Sequence, residues 1–328
     1  MKRSLLILTI LITAVWFLIA ADPPPWAYLV APPNPNEPPP GQQGQGRPPA
    51  APPADEPQKH VPNSTVGLTM TQVRDGFSTP DWHPDEHPAM ADVVVHGRKP
   101  DVRACGWCHL PSGSGRPENA GLAGLPASYI LQQLNDLKSG ARKTSNPRFG
   151  ALMPRIAKAA SDAEMQSAAD YFSSLKPKQT IRVVETDSAP KTMLAGMLVP
   201  VEGGGTEPIG MRIIETPENP SLTDLRDEDS GFVAYVPKGS IKKGEALVTT
   251  GASGKTIQCA VCHGTDLKGL GPVPRLAGRS PSYIFRQLYD LQHGGRKGVW
   301  AELMKEPVAR LTFEDMVSIS AYLASLKP

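Results

Sequence analysis

The sequence predicts a mainly α-helical protein that consists of two tandem copies of one small domain, with a short β-containing segment between them. The duplication is visible in matched residues, which recur in the second half of the chain at an offset of 154 up to Lys143 and of 151 after it. Leu-Ala-Gly at 122–124 matches 276–278, and Ser-Tyr-Ile at 128–130 matches 282–284. Self-similarity that keeps one offset over a long stretch indicates a repeated domain.

Length and charge limit the possible functions. A chain of 328 residues suggests about two domains. The formal net charge is only +2, which excludes the basic footprint of a nucleic-acid-binding protein, so no nucleic acid is expected as a partner. Aromatic residues make up 6% of the chain, which favours small domains without a large apolar core of their own.

Residues 1–21 have the composition of a signal peptide or a membrane anchor. Lys2 and Arg3 form a positive start, and an almost continuously apolar run follows at 4–21. This run is long for a signal peptide and slightly short for a membrane span, so both alternatives stay open. In either case the positive end stays inside. We therefore predict a periplasmic protein that is soluble or tethered to the inner membrane through residues 4–21.

Residues 22–66 are predicted to be a disordered linker. Proline is concentrated here, with triplets at 23–25 and 38–40, and a Gln- and Gly-rich run lies at 41–46. Such a composition favours an extended tether with little apolar surface to bury, and an inert spacer is the simplest interpretation.

Each copy is predicted to be helical. The first copy covers 67–177 and the second copy covers 237–328. In each, a short helix ends at a glycine, a longer helix starts at a proline, and the last helix begins with a capping box. The expected helices lie near 89–96, 126–140 and from Ser161 in the first copy, and near 243–250, 281–294 and from Thr312 in the second.

The segment between the copies, residues 178–236, has a different pattern, and we call it the insert. Ile-Arg-Val-Val at 181–184 and Met-Arg-Ile-Ile at 211–214 are predicted to be short strands, separated by three glycines at 203–205. Its role is either a docking surface or structural cover.

All four cysteines lie in two C-x-x-C-H runs, at 105–109 and 259–263, one in each copy. Two thiols at this spacing can form thioether bonds to a haem, and the adjacent histidine then offers an imidazole nitrogen to the iron. We therefore predict two covalently bound haem c groups. The thioether cysteines would be Cys105, Cys108, Cys259 and Cys262, and the iron ligands would include His109 and His263.

Two other chemistries use C-x-x-C pairs. A thioredoxin-like dithiol needs no following histidine and is expected in a βαβ context, which the sequence lacks. A zinc ribbon keeps its two pairs about 15–20 residues apart, whereas Cys108 and Cys259 are separated by most of the domain-bearing chain. Both remain minor alternatives to haem.

A methionine is the predicted sixth ligand of each iron, because a thioether raises the iron potential and suits electron transfer. Met153 and Met304 occupy matching places in a loop before the last helix, and we favour this pair. Met165 and Met316 also match but fall inside the last helix, where core filling is commoner. A bis-histidine site is a further alternative, although no candidate has a histidine partner at the repeat offset. Those candidates are His83, His87, His96 and His293.

Three stretches of the second copy form a specific pattern: Cys-Ala-Val-Cys-His-Gly at 259–264, Gly-Pro-Val-Pro-Arg-Leu-Ala-Gly at 271–278 and Pro-Ser-Tyr-Ile-Phe-Arg-Gln-Leu from 281. With Met304 ahead of the capped last helix, this pattern resembles class I cytochromes c of the cytochrome c4 and c553 type. The resemblance extends to both copies and implies two tandem class I cytochrome c domains. It also implies that His263 and Met304 are the axial ligands.

The resemblance further implies that the carbonyl of Pro274 orients the His263 ring. The first copy departs from the family pattern at two places. Leu110 replaces the glycine after the histidine, and Ala120 stands where Pro274 would align. The orientation of His109 is therefore an open question at this stage, and the two haems are expected to differ in potential.

The sequence thus predicts a periplasmic two-haem electron carrier that exchanges single electrons with redox proteins. A quinol-oxidising complex or a periplasmic dehydrogenase would be the donor, and a terminal oxidase or a reductase the acceptor. No substrate-activating base is evident, so the chain is not expected to be an enzyme. The alternatives are an electron-accepting subunit of a periplasmic dehydrogenase and a two-haem peroxidase, which would need an open iron position and an acid–base residue.

Overall fold

The computed structural model describes residues 22–30 and 55–328. The predicted signal peptide or anchor at 1–21 lies outside the described residues, as does 31–54 of the predicted linker. Across the described ranges, no helix combines the length and the hydrophobicity needed to cross a bilayer.

The first copy is helical, as predicted. Its last helix begins at Ser161, whose hydroxyl accepts a hydrogen bond from the Glu164 N–H while the Glu164 carboxylate accepts one from the Ser161 N–H. The longer helix ends at Gly140 in the left-handed conformation, with φ 79°. The helices are α1 (Met70–Arg74), α2 (Asp92–Val95), α3 (Cys105–His109), α4 (Ala127–Ser139), α5 (Leu152–Ala159) and α6 (Asp162–Ser174). Apolar faces of α4 and α6 enclose the core, which contains Ile130 and Phe172.

The insert contains β-structure, also as predicted. Its strands are β1 (Ile181–Thr186), β2 (Ser188–Pro190), β3 (Thr192–Leu194), β4 (Leu198–Pro200), β5 (Thr206–Pro208), β6 (Ile214–Pro217) and β7 (Phe232–Pro237), with helix α7 (Pro220–Asp224) between the last two. The order in the main sheet is β1–β7–β6, with β1 parallel and β6 antiparallel to β7. The strand predicted at 211–214 begins later than expected, at Ile214, where β6 starts. The side chain of Arg212 instead donates hydrogen bonds to the carbonyls of Pro208 and Ile209.

The second copy repeats the helical plan. Its helices are α8 (Ser240–Thr250), α9 (Ala260–His263), α10 (Pro281–Gln292), α11 (Lys305–Ala309) and α12 (Phe313–Ser325), with a 3₁₀ turn at Val299–Met304. Helix α12 packs on both α8 and α10. At the α8–α12 crossing, a Cβ on Gly244 would lie 2.0 Å from the Ser318 carbonyl oxygen, so the close approach requires glycine.

Residues 22–30, which we call the strap, are packed against the second copy, so the prediction of a disordered linker over 22–66 was wrong here. Ala27 and Tyr28 are fully buried, and the Tyr28 hydroxyl donates to Asp290 Oδ1 at 2.7 Å. The Trp26 ring lies 4.7 Å from that of Phe285. The prediction also failed at 55–66, where Val61 is buried. Proline-rich composition concealed these few aromatic and aliphatic anchors, which bury enough apolar surface to hold the segment.

The two copies meet through reciprocal backbone hydrogen bonds. The Lys143 N–H donates to the Gly295 carbonyl and the Lys297 N–H donates to the Ala141 carbonyl, each at 2.7 Å. These four residues lie at equivalent places after α4 and α10, so the contact has approximate two-fold symmetry.

Side chains extend this symmetric contact. Arg142 donates to Gln133 and Gln287 at 3.0 Å each, and Arg296 donates to the same two amide oxygens at 2.6 and 3.1 Å. Each arginine thus bridges its own copy to the other, which fixes the relative placement of α4 and α10.

Candidate functional site

The first C-x-x-C-H run forms helix α3, which brings Cys105, Cys108 and His109 to one wall of a cavity. His109 is 8% exposed, and its Nδ1 lies 2.8 Å from the Ala120 carbonyl oxygen. A carbonyl can only accept, so Nδ1 carries the proton and the Nε2 lone pair is free to bind a metal. Burial lowers the pKa of His109, which favours this neutral state.

The second run gives the same arrangement on helix α9. His263 is 8% exposed, and its Nδ1 lies 2.8 Å from the Pro274 carbonyl oxygen, as the resemblance implied. Burial also lowers the pKa of His263. The open question about the first copy is thereby answered: Ala120 supplies the same backbone acceptor as Pro274, because the bond depends on the carbonyl and not on the side chain.

The cavity beside the first run has a volume of about 1010 Å³ and is lined largely by apolar groups. Its walls come from α4, α5 and α6 of the first copy and from α10 of the second. Leu29 and Val30 of the strap complete it. The sequence patterns pointed to the residues of the first copy but missed these contributions from distant parts of the chain.

Three arginines on this cavity wall fit a haem, which carries two propionate carboxylates. Arg142, Arg279 and Arg286 donate only to amide, hydroxyl and backbone carbonyl oxygens, and none of the three forms an ion pair with a carboxylate of the described chain. Burial alone would raise the pKa of the nearby Tyr283 phenol, but the cations of Arg142, Arg279 and Arg296 lower it to about 7. An anionic group is therefore favoured at this end of the cavity.

Structure corrects the expected setting of the candidate sixth ligands. Met153 is the second residue of α5, and Met304 closes the 3₁₀ turn that precedes α11, so neither lies in an irregular loop. In each copy a proline follows, Pro154 or Pro307, in the first turn of the helix. In the first turn of a helix the backbone N–H groups have no helical acceptor, so a proline, which lacks an N–H, loses no hydrogen bond there. The prolines are therefore compatible with these helices.

The rival methionines are the more deeply buried pair. Met316 is 1% exposed within the core of the second copy, whereas Met304 is half-buried. Met165 is 3% exposed, but it shares the cavity wall with Met153 and His109. The four histidines of the bis-histidine alternative are not among the residues that line this cavity.

Apolar residues in and beyond the C-x-x-C-H run of the second copy are exposed to solvent. Val261, Leu270 and Leu303 of the second copy are 65%, 60% and 67% exposed. Their repeat counterparts are Trp107, Arg116 and Leu152.

Two of the counterparts in the first copy, Trp107 and Arg116, are covered by the insert. The Arg226 guanidinium lies 3.5 Å from the centroid of the Trp107 ring and donates to the Trp107 carbonyl at 2.7 Å. Arg116 is 8% exposed and contacts the Met197 sulfur. The insert therefore shields the first run and leaves the second one open.

Comparison with known proteins gives the family. A family model described as cytochrome c matches residues 241–327. Cytochrome c-554(548) of Halomonas halodenitrificans is 41% identical over 20% of this chain and 82% of its own length. The chain belongs to the cytochrome c family. It is accordingly an electron-transfer protein that carries covalently bound haem c.

Two further relatives align with about two thirds of this chain. The "Thiosulfate dehydrogenase electron acceptor" of Thiomonas intermedia is 28% identical over 69% of this chain and 80% of its own length. Cytochrome c4 of Azotobacter vinelandii is 26% identical over 68% of this chain and 84% of its own length. Similarity over about two thirds of the chain to a protein named cytochrome c4 confirms the predicted recognition of a cytochrome c4-type protein.

Proposed function

We propose that this chain is a periplasmic carrier of single electrons with two haem c groups, one in each copy. Cys105 and Cys108 would hold the first haem and Cys259 and Cys262 the second, by thioether bonds. The axial ligand pairs would be His109 with Met153, and His263 with Met304. We also propose that the first cytochrome c domain covers 67–177, the insert 178–236 and the second cytochrome c domain 237–328.

One observation carries the proposal. Each C-x-x-C-H histidine donates its Nδ1–H to a backbone carbonyl at 2.8 Å, from Ala120 in one copy and Pro274 in the other. This bond leaves Nε2 as the metal-binding atom and holds the ring at a fixed angle. Two copies of so specific an arrangement are expected only if both are used.

The bound haem supplies reversible one-electron chemistry at iron. The protein's part is to keep that chemistry in place and to set the potential. The buried walls of the cavity exclude water, the arginines at its end provide charge for two carboxylates, and the thioether sulfur favours the reduced state. None of these roles requires a catalytic acid or base, so we propose no enzymatic step for this chain.

The haem count is tested by removing one cysteine pair at a time. Intact mass should show two haems on the exported wild-type chain. Replacing Cys259 and Cys262 by alanine should leave one haem, and so should the matched replacement of Cys105 and Cys108. A wild-type chain with one haem, or a cysteine-pair variant that still carries two, would contradict the proposal.

We further propose that redox partners dock at the second copy. The exposed apolar residues Val261, Leu270 and Leu303 frame its run, whereas the insert covers the equivalent edge of the first copy. Exposed apolar patches of this kind are typical of protein docking sites. Leu303→Glu should slow electron exchange with a protein partner, and Met193→Glu, which adds the same charge at an exposed position of the insert, is the control.

A second candidate function is favoured by one relative. The Thiomonas intermedia protein that aligns over 69% of this chain is named a thiosulfate dehydrogenase electron acceptor. This chain would then accept electrons directly from a periplasmic dehydrogenase. Co-purification from native membranes tests this, and so does reduction of the haem by a dehydrogenase and its substrate without a mediator. Rapid peroxide turnover by the purified chain would instead favour a peroxidase.

The tether remains part of the proposal for localisation. The strap follows directly after residue 21 and is held in the second copy by Tyr28 and Asp290. An anchor at 4–21 would therefore keep the second copy close to the bilayer. Recovery of the haem protein in the membrane fraction, with release by proteolysis ahead of the strap, is the expected result for an anchor.

A further inference from the structure

Behind the first C-x-x-C-H run, a chain segment at 79–88 packs against a turn of the insert at 225–230. The Trp82 indole N–H donates to the Leu225 carbonyl at 2.8 Å. His83 Nε2 lies 3.2 Å from Asp227 Oδ1, and both side chains are 3% exposed. These contacts bring the histidines of the first segment to the acidic residues of the insert.

Asp81, His87 and Glu228 converge within this contact. One ligand atom from each lies within 4.8 Å of the other two. His87 Nε2 lies 3.1 Å from Asp81 Oδ1. In a tetrahedral zinc site, with bonds of about 2.0–2.1 Å, ligand atoms lie roughly 3.4 Å apart. Small side-chain rotations would therefore bring all three to metal-binding distance.

The hydrogen bond at Nδ1 of His87 suits a metal ligand. Its Nδ1 lies 2.9 Å from the Pro88 carbonyl oxygen, which can only accept, so Nδ1 carries a proton. In the neutral ring the Nε2 lone pair then points to the side where Asp81 lies. A histidine whose other nitrogen donates to a backbone carbonyl is the usual arrangement in protein metal sites.

Glu228 gives the second, independent indication. It is 1% exposed, and its Oε2 accepts the Ser112 N–H. Its other oxygen, Oε1, is buried and has no hydrogen-bond partner within the described residues. Neither Asp81 nor Glu228 forms an ion pair with a lysine or arginine of the described chain. A buried carboxylate oxygen without a partner is costly, and a cation between the three side chains would satisfy it.

We propose that Asp81, His87 and Glu228 bind one divalent transition-metal ion. One imidazole nitrogen and two carboxylate oxygens, with an open position for water, are a donor set that zinc and similar ions accept. A divalent ion would also balance the two carboxylate charges.

A neighbouring cluster of similar composition is already neutralised by a lysine. His83, Glu86 and Asp229 also bring three ligand atoms together, but Lys178 already pairs with Glu86 at 2.5 Å and with Asp229 at 3.1 Å. The ammonium neutralises this second cluster, so no metal is proposed there, and the cluster offers a matched control.

The proposed metal site is coupled to the first haem run through the backbone. Glu228 accepts the N–H of Ser112, three residues after His109, and the Tyr171 hydroxyl donates to the Pro111 carbonyl at 2.6 Å. Leu110 is held at φ 63°, in the left-handed region that favours glycine. A metal on Glu228 would place positive charge behind this strained loop and should raise the potential of the first haem.

Zinc binding to the chelator-treated holoprotein tests the proposal. Wild type should retain one tight zinc per chain after dialysis, counted against haem iron by elemental analysis. His87→Gln and Asp81→Asn should each weaken it by about 10–100-fold. Asp81 has its hydrogen bond to His87 and none to the haem loop within the described residues, so its variant separates loss of a ligand from loss of structure. Glu86→Gln, in the cluster neutralised by Lys178, should bind zinc like wild type.

Redox titration gives the second readout. Zinc should raise one of the two midpoint potentials in wild type and leave both unchanged in His87→Gln. Zinc retention that is equal in wild type and in His87→Gln would mean adventitious binding at surface histidines and would overturn the site. Absence of tight zinc would equally refute the metal site. If the potential of the first haem then varied with pH in wild type but not in Glu228→Gln, the cluster would be a buried proton site instead.

Discussion

Replacing Asp315 by asparagine should destabilise the second copy in a pH-dependent way. Asp315 is the N3 residue of the α12 capping box and is fully buried. Its carboxylate lies 2.5 Å from Lys255 Nζ and 3.3 Å from Lys243 Nζ and accepts the Thr312 N–H at 2.8 Å. Burial alone would raise the pKa of this carboxyl, but these partners lower it from 3.8 to about 2.

The size of the effect follows from that pKa. Lowering a carboxyl pKa by one corresponds to about 1.4 kcal/mol, so the ionised carboxylate contributes about 2 kcal/mol to the free energy of unfolding at neutral pH. Because the folded pKa is the lower one, this contribution is complete above the unfolded pKa of 3.8 and is lost as the pH falls towards 2. The lysines remain partly exposed and can be hydrated in the variant, which limits any additional cost.

Urea unfolding of the holoprotein, followed by circular dichroism at several pH values, measures this prediction. Asp315→Asn should cost about 2 kcal/mol at pH 7, and the difference from wild type should shrink between about pH 4 and pH 2. The first copy offers a matched control at Glu164, whose partner Arg98 is 51% exposed, so Glu164→Gln should cost less than about 1 kcal/mol. A difference that is independent of pH, or that grows towards acid, would refute the reasoning.

Three other predictions concern the haem sites. Met304→Ala should keep the haem attached but remove the sulfur-to-iron absorption band of one haem and lower its potential. Met316→Ala should instead cost about 2–5 kcal/mol of stability and leave the band intact. The reverse pattern in absorption spectra would show that Met316 is the ligand. The exported chain should have the mass of the polypeptide plus two haems, and zinc in their place would rule out the proposed sites. Arg226→Ala should lower only one midpoint potential in a redox titration, because it removes a nearby cation from Trp107 and admits water to the first run; a change in both potentials would contradict a local effect.

Local sequence patterns were sufficient for the longer helices of the two copies, although not for α5 and α11, which were expected to be loop. The capping pairs at Ser161 and Thr312 and the glycine after α4 define element ends by hydrogen bonds within a few residues, so each could be predicted without tertiary information. The repeat added confirmation, since the same pattern occurs twice. Both C-x-x-C-H runs are likewise local, and the structure places each on a short helix with its histidine buried.

Contacts between distant parts of the chain could not be predicted in this way. Tyr28 is separated from Asp290 by most of the sequence, and its burial depends on a surface that exists only after the second copy has folded. The same holds for Arg279 and Arg286 on the wall of the first cavity and for Glu228, whose partner Ser112 lies in the first copy. Composition gave no indication of these contacts, because a proline-rich or β-containing segment has no periodic apolar face from which its packing partner could be predicted.

The insert accounts for the differences between two otherwise similar copies. Gly264 of the second copy has φ 84° and ψ 154°, and Leu110 of the first has φ 63° and ψ 155°, so a leucine holds a conformation that glycine adopts freely. Such strain persists only where the surroundings fix it, and Glu228 and Arg226 of the insert bind the backbone on either side of Leu110. The same insert residues cover the edge that stays open in the second copy. One segment thus both constrains the first C-x-x-C-H run and covers part of its edge, which supports the proposal that redox partners dock at the second copy.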